Sequence, residues 1–463
     1  MFIGREKELL KLNQLYKKRD FQFPVIYGRR RVGKTALINE FVKDKETIYF
    51  TGIESNAIQN LENLSKSIFD HTNKADSSPV FPSFQSALEY IFKLAEKKQM
   101  VFVIDEYPYV AKSYPALSSV LQVLIDKSKN NSKLLLILCG SSMSFMEEQV
   151  LGYQSPLYGR RTAQFKIQPF EFKETCQYFN NFTAQEMAEI YGIVGGTPQY
   201  LLQMNDKLTV EENIKMNILD TNSYLFEEPN NLLKQEVREA ALYNAIITAV
   251  ATGSTKLSEI SSKVREETSA CAACLKKLIS LGIITKEMPF SDKNTKKTIY
   301  VISDNLFRFW YRFIPANLSI LQNGMIDLAY KNVSKQLNAY MGAVFEEICK
   351  QYLWELNRSS KAAITFTDLG RWWGNDQKRK SEIEIDIMGT DGKDSVLFGE
   401  CKWTNEKVDI GILNTLAERS KLFNYKNVYL YLFSRSGFTK GCIEAAEKMS
   451  NVTLITFQEI AKQ

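Results

Sequence analysis

Gly28-Arg29-Arg30-Arg31-Val32-Gly33-Lys34-Thr35 sets two glycines five residues apart and follows the second at once with a lysine and a hydroxyl side chain. That spacing suits phosphate binding, because the glycines let the backbone turn its N–H groups towards phosphate oxygens and a following helix adds the positive end of its dipole. Lys34 would reach the β- and γ-phosphates of ATP, and Thr35 would ligate Mg2+. A pair of carboxylates, Asp105-Glu106, closes the apolar run Met100-Val101-Phe102-Val103-Ile104. Asp105 is placed to hold Mg2+ through water and Glu106 to polarise an attacking water, so the pair implies hydrolysis as well as binding. A third group lies far along the chain: Asp386 in Glu382-Ile383-Glu384-Ile385-Asp386, then Glu400-Cys401-Lys402. Glu400 and Lys402 share a strand face, and a turn at Gly389-Thr390-Asp391-Gly392 brings Asp386 onto the neighbouring strand. Two such carboxylates can hold Mg2+ against a scissile phosphate while Lys402 orients or activates water; Glu346 or Glu347 is a candidate for completing the metal shell. Glu-x-Lys alone says little, since Glu96-Lys97-Lys98 and Glu171-Phe172-Lys173 also occur; the hairpin context is what raises it.

These residues need elements to hold them. Apolar runs at Phe23–Tyr27, Thr47–Thr51, Met100–Ile104, Leu134–Cys139 and Gln164–Ile167 alternate with helical patterns, the signature of a parallel sheet covered on both faces. Such a sheet delivers Asp105-Glu106 to its C-terminal edge, where ligands bind. Thr47–Thr51 is expected to separate the acidic strand from the loop strand, an arrangement in which a glutamate can act as base. The polar end Gly140-Ser141-Ser142 offers Ser141 either as a sensor of the γ-phosphate or as a plain helix cap. Arg160 and Arg161 are candidates for an arginine finger, in cis or from a neighbouring subunit, or for a solvated loop pair.

Strands then give way to helical patterns, broken at Gly195-Gly196-Thr197-Pro198, which read as a helical lid over 170–236. Residues 237–315 run helix (Leu257–Val264), helix (Glu267–Leu281, ended by Gly282) and two strand-like pieces (Ile283–Glu287, Thr298–Ile302), the order of a winged helix. Residues 255–300 hold nine Lys or Arg against five Asp or Glu. Lys276, Lys277, Lys293, Lys296 and Lys297 therefore suit phosphate contacts, although no cluster for base readout stands out, and DNA and protein remain equal candidates for the partner. Cys271-Ala272-Ala273-Cys274, with no second pair, reads as helix packing rather than a zinc site. A connecting segment, 316–334, leads to a last α/β unit over 335–463, with a helix at Met341–Leu356 and strands at Ala363–Thr367, Glu382–Met388, Ser395–Lys402, Val428–Phe433 and Val452–Phe457.

The first 315 residues resemble the archaeal-type ATPases, a branch of the AAA and STAND P-loop NTPases. The resemblance is carried by Phe2-Ile3-Gly4-Arg5-Glu6-Lys7-Glu8-Leu9, the phosphate loop, Gly140-Ser141-Ser142, Gly159-Arg160 and Gly195-Gly196-Thr197-Pro198-Gln199-Tyr200-Leu201. It implies that Gly4 and Arg5 lie near the adenine and that Gly196 and Pro198 start a lid that senses nucleotide state. The last unit resembles the restriction-endonuclease-like, PD-(D/E)XK superfamily, and specifically the domain of unknown function often fused to such ATPases. Phe345-Glu346, Gly370-Arg371-Trp372-Trp373-Gly374, Glu384-Ile385-Asp386 and Phe398-Gly399-Glu400-Cys401-Lys402-Trp403 carry that resemblance. Trp372 and Trp373, followed by Lys378, Arg379 and Lys380, suit either stacking on nucleic acid or a place in the core.

Composition agrees with this reading and excludes others. The chain has 463 residues, 44% hydrophobic and 24% charged, with no apolar run long enough to span a bilayer. A charged N-terminus without a signal-peptide core and seven scattered cysteines point to a cytoplasmic protein. The single histidine, His71, rules out histidine-triad hydrolysis and multi-histidine metal sites, and its polar surroundings read as a surface loop. A net charge of +6 permits nucleic-acid contact without demanding it, and leaves oligomeric state open. The expectation is an ATP- and Mg2+-dependent switch controlling a nuclease-like domain that acts on nucleic acid, DNA ahead of RNA. The alternative is an ATP-dependent regulator or scaffold that binds DNA or protein and whose last domain is non-catalytic.

Overall fold

A computed structural model describes residues 2–72, 79–291, 297–376 and 381–462. The chain divides into two compact units, Met1–Pro169 with Thr197–Gln199, and Phe170–Gly196 with Tyr200–Gln463. Among the described residues no helix is long and apolar enough to cross a membrane.

The first unit is built on five parallel strands: β1 (Pro24–Tyr27), β2 (Thr47–Thr51), β3 (Met100–Asp105), β4 (Leu134–Gly140) and β5 (Ala163–Lys166). Their order is β2-β3-β4-β1-β5. β1, β3 and β4 are buried along their whole length, as strands covered by helices on both faces must be. Alternate residues feed two cores: Val25, Phe102, Ile104, Leu136 and Leu138 on one face, and Ile26, Val101, Val103, Ile137 and Cys139 on the other. The strand separating the acidic strand from the loop strand is β4; Thr47–Thr51 instead lies at the edge beyond β3. An apolar run reports burial, not which neighbour it pairs with. His71 is not in a loop either: it ends the helix Ala57–Thr72 and faces Glu46 at 2.9 Å.

In the second unit, the helices read as a lid are part of a larger core. Ile190, Ile193 and Val194 of the helix Ala184–Val194 pack with Ile246, Leu275, Phe309 and Phe313, while Met187, Ala188 and Tyr191 pack with Met341, Val344 and Phe345. The helices Leu257–Val264 and Thr268–Ser280 precede an antiparallel hairpin, β6 (Ile284–Glu287) and β7 (Ile299–Ile302). Cys271 and Cys274 are buried in the helical core. Lys293 and Lys296 lie outside the described residues, as do Lys378, Arg379 and Lys380.

The expected connecting segment is helical. Asn305–Gln322 runs through the boundary placed at 315, and Ile326–Arg358 runs through the one at 334, beginning fifteen residues before the expected Met341. The helix Asn305–Gln322 continues through Pro315 because Phe307, Phe309, Phe313 and Ile314 are buried along it, which offsets the lost backbone hydrogen bond. The chain turns instead at Gly324, where φ is +73°.

The last sheet contains β8 (Asp368–Asp376), β9 (Ser381–Thr390), β10 (Ser395–Lys402), β11 (Asn427–Ser434) and β12 (Val452–Thr456), in the order β12-β11-β10-β9-β8. β8, β9 and β10 are antiparallel; β10, β11 and β12 are parallel. Ala363–Thr367 is not a strand. Asn357 near the end of the long helix bonds both the N–H and the carbonyl of Phe366, and the Tyr431 hydroxyl accepts from the Ala363 N–H, so this stretch caps a helix rather than extending the sheet. Trp372 packs edge-on against Phe423 at 4.9 Å, beside the apolar core of this sheet.

Candidate functional site

The phosphate loop follows β1 because only glycine fits at its first position: a Cβ on Gly28 would stand 2.4 Å from the Ile167 carbonyl oxygen. Arg31 (φ +73°) and Gly33 (φ +90°) take left-handed conformations, and Gly33 caps the helix Lys34–Val42. Lys34 is buried and donates to the carbonyls of Gly28 and Arg29, both at 3.0 Å, so it lies across the mouth of its own loop. Burial holds its ammonium below the ordinary lysine range, with Glu106 and Asp105 pulling the other way.

Thr35 and Asp105 meet, as the strand-end geometry requires. The Thr35 hydroxyl donates to Asp105 Oδ2 at 3.0 Å, and the Tyr49 hydroxyl donates to the same oxygen at 2.8 Å. Burial and the neighbouring Asp105 push Tyr49 well above its ordinary range, which keeps it a donor. A hydroxyl and a carboxylate at the N-terminus of the loop helix are hard oxygen ligands and fit Mg2+. Glu106 stands in a left-handed conformation (φ +50°) after β3, and its carboxylate accepts from Ser141 Oγ at 2.9 and 3.0 Å and from Ser141 N–H at 3.3 Å. Because β4 sits between β1 and β3, Ser141 at its end occupies the space between loop and base. It is thus both strand-end and brace for Glu106.

Two of the three loop arginines reach other side chains: Arg29 donates to Thr197 Oγ1 at 3.2 Å and Arg30 to the Tyr109 hydroxyl at 2.7 Å. Arg5, buried, donates to the carbonyls of Val32 (3.1 Å) and Gln168, bracing the loop from the side. The structure does not bring Arg160 to the loop. Its donors are taken by Asp126 (3.0 and 2.6 Å) and by the Pro156 carbonyl (2.8 Å), a surface arrangement of the kind paired arginines commonly make.

The C-terminal group assembles on β9 and β10. Their pairing runs to Ile387↔Gly399, so the next step sets Asp386 beside Glu400, and Asp386 Oδ2 accepts the Cys401 N–H at 2.8 Å. Burial, with the charges of Glu400 and Glu346, pushes the Asp386 carboxyl up to about 7. Glu400 is buried between Lys402 Nζ (2.6 Å) and an Arg419 nitrogen (3.2 Å). Burial acts to lower Lys402, but Glu400 outweighs it and holds the ammonium above its ordinary range. Glu346, on the helix Ile326–Arg358, is raised by burial and lies 3.6 Å from Arg371. Glu347 is exposed and accepts from Gln351.

The expected three-carboxylate metal shell is therefore not ready-made. Among the described residues no three carboxylates, thiols or imidazoles converge to hold a cation, and Glu346 lies 3.6 Å from the Arg371 guanidinium. What the residues fit is a cation between Asp386 and Glu400, two oxygen ligands, with burial first and the neighbouring carboxylates second raising the Asp386 carboxyl that a cation would hold ionised. Arg419 and Tyr49 were not legible as site residues. One is a basic residue in the last turn of the helix Ile410–Ser420, the other an ordinary strand tyrosine, and only the fold carries them to their carboxylates.

A family model of ATPase domains found predominantly in Archaea matches residues 2–204, and a model of archaeal and bacterial proteins of unknown function matches residues 310–412. An uncharacterized protein of Methanocaldococcus jannaschii is 35% identical over 408 residues, 88% of this chain and 88% of its own. An uncharacterized ATP-binding protein of the same organism is 23% identical over 261 residues, 45% of this chain and 71% of its own. Among solved structures, a Walker-type ATPase of Pyrococcus abyssi aligns with 67% of this chain and 96% of its own, with a TM-score of 0.51 at 19% identity, a likeness of fold.

Proposed function

Because the chain belongs to the family that joins an ATPase domain found predominantly in Archaea to a C-terminal domain of unknown function, we propose that it is an ATP-hydrolysing switch controlling a Mg2+-dependent, restriction-endonuclease-like domain that acts on nucleic acid, DNA ahead of RNA. Mg2+ at either site would neutralise phosphate oxygens and lower the pKa of water. At the first site Lys34 leaves the Gly28 and Arg29 carbonyls for the β- and γ-phosphates. Glu106, held by Ser141, takes a proton from water as its oxygen bonds to the γ-phosphorus and the bond to the β,γ-bridging oxygen breaks, giving ADP and phosphate. At the second site Asp386 and Glu400 would hold the cation, and Lys402 would orient water and stabilise charge on the scissile phosphate.

One observation carries the second half of this reading: Lys402 Nζ stands 2.6 Å from Glu400 beside Asp386, whose carboxyl is raised to about 7. A buried acid, a second carboxylate and an ammonium drawn together on two interior strands have more use in phosphodiester chemistry than in stability. Residues 257–302 supply a winged-helix-like platform, with exposed Lys276 on the helix Thr268–Ser280 opposite buried Cys271, Cys274, Leu275 and Leu278. Purified protein with Mg2+ or Mn2+ and ATP is expected to cut nucleic acid, and Lys402→Ala to abolish the cutting while keeping ATP turnover. The second reading, a non-catalytic scaffold, is favoured by the neutralisation of Glu400 by Lys402 and Arg419 together. It takes over if no substrate is cut in any metal while ATP-dependent DNA or protein binding is measured.

A further inference from the structure

β8 carries an irregularity between Gly370 and Trp372, so Arg371 sits at a bulge. A bulge re-aims the side chain and takes its residue out of the ladder. Both consequences are visible. The Arg371 carbonyl is taken by a residue of another element, Phe290 just beyond β6, whose N–H donates to it at 2.7 Å. The Phe290 ring is buried with Ile385, Met388 and Phe398 of the last sheet, and Gly370 makes room for it, since a Cβ there would lie 3.3 Å from the ring. The Arg371 guanidinium is aimed among three carboxylates: Glu384, which it hydrogen-bonds, Glu346 at 3.6 Å and the hairpin's own Glu287 at 3.6 Å.

We infer that the β6–β7 hairpin is a latch on the C-terminal carboxylate site: docked through Phe290, it sets the bulge that points Arg371 at Glu346, and so withholds Glu346 from the cation between Asp386 and Glu400. Arg371 is a positioning residue that competes with a divalent cation for one carboxylate. This accounts for the lack of a finished three-ligand group among the described residues. Release has somewhere to go. A cleft of about 700 Å³, bordered by Arg371, Phe290, Lys350 and Glu347, lies beside the guanidinium. The inference rests on the reading of Asp386 and Glu400 as cation ligands, and it makes the hairpin, not the metal supply, the element that decides when the set is complete.

The test is Mn2+ binding by full-length protein without nucleotide, followed by the electron paramagnetic resonance of free Mn2+, with Asp386→Asn defining the share due to this site. Arg371→Gln is expected to tighten that share by about fivefold, the weight of one partly buried ion pair, and Arg371→Lys to leave it near wild type. Phe290→Ala, or Phe290→Leu if the alanine variant fails to fold by circular dichroism, is expected to tighten it as well. In the Arg371→Gln background the Phe290 change should add nothing, because both act through one guanidinium. Unchanged or weaker binding in Arg371→Gln, or a full additive effect of Phe290 in the double variant, overturns the latch while leaving the metal site standing. Absence of any Asp386-dependent Mn2+ binding in every variant removes the metal site and the latch with it.

Discussion

The nucleotide site and the C-terminal carboxylate site use the same kinds of side chain and reach opposite states of readiness. At the first, Thr35 and Tyr49 already meet on Asp105, Ser141 already holds Glu106, and the loop backbone is bent around a glycine that nothing larger can replace. At the second, two of the three carboxylates already have cationic neighbours, Lys402 and Arg419 at Glu400 and Arg371 at Glu346, while Asp386 accepts the Cys401 N–H. The difference teaches that a site made from one contiguous run and two adjacent strand ends can be preorganised by the fold alone. A site that borrows from a helix, two strands and a hairpin can be turned off by a rotation of one arginine.

If the first site is preorganised, its parts should fail separately and steeply. Glu106→Gln is expected to lower ATP turnover by about a thousandfold while ATP stays bound, the range for loss of a general base. Lys34→Ala should instead weaken ATP binding by about a hundredfold, as two charge-assisted hydrogen bonds to phosphate vanish. Equal loss of binding in both variants, measured by calorimetry, would erase the distinction between base and phosphate ligand. Ser141→Ala sharpens the comparison further. With Glu106 unbraced, kcat should fall about tenfold, or about 1.4 kcal/mol, with KM nearly unchanged. The smallest effect belongs to the arginine left outside. Arg160→Ala removes a surface pair with Asp126 and should cost under about 1 kcal/mol of stability and leave turnover alone. A tenfold drop in turnover that appears only as protein concentration rises would instead make Arg160 a finger supplied by a neighbouring subunit.

What could be read beforehand follows the range over which each signal acts. The phosphate loop was legible because Gly28 to Thr35 is a local run whose chemistry depends on spacing alone. Glu400 and Lys402 were legible as partners because side chains two apart on a strand share a face, and they meet at 2.6 Å. Strand neighbours were not. Thr47–Thr51 and Leu134–Gly140 are both apolar runs, and nothing in either says which lies between loop and base. The stretch Ala363–Thr367 has strand-like composition, but Asn357 in the helix just before it and the far-off Tyr431 take its backbone groups. The domain boundary expected at 315 falls inside the helix Asn305–Gln322, whose buried residues run through that point.

The amino-acid sequence by itself determined the chemistry on offer: a phosphate loop, a strand ending in two carboxylates, and a distant pair of carboxylates with a lysine. It could do so because backbone freedom at glycine, strand alternation and charge are properties of short segments. Only the tertiary structure decided which charges meet. Ser141 against Glu106, Tyr49 on Asp105, Arg419 on Glu400 and Arg371 among three glutamates all join residues remote along the chain. Electrostatic and hydrogen-bond energies fall off over a few ångströms, so a charge has no partner until the fold sets its distance. At the first site the fold set those distances for work, and at the second it set them for restraint.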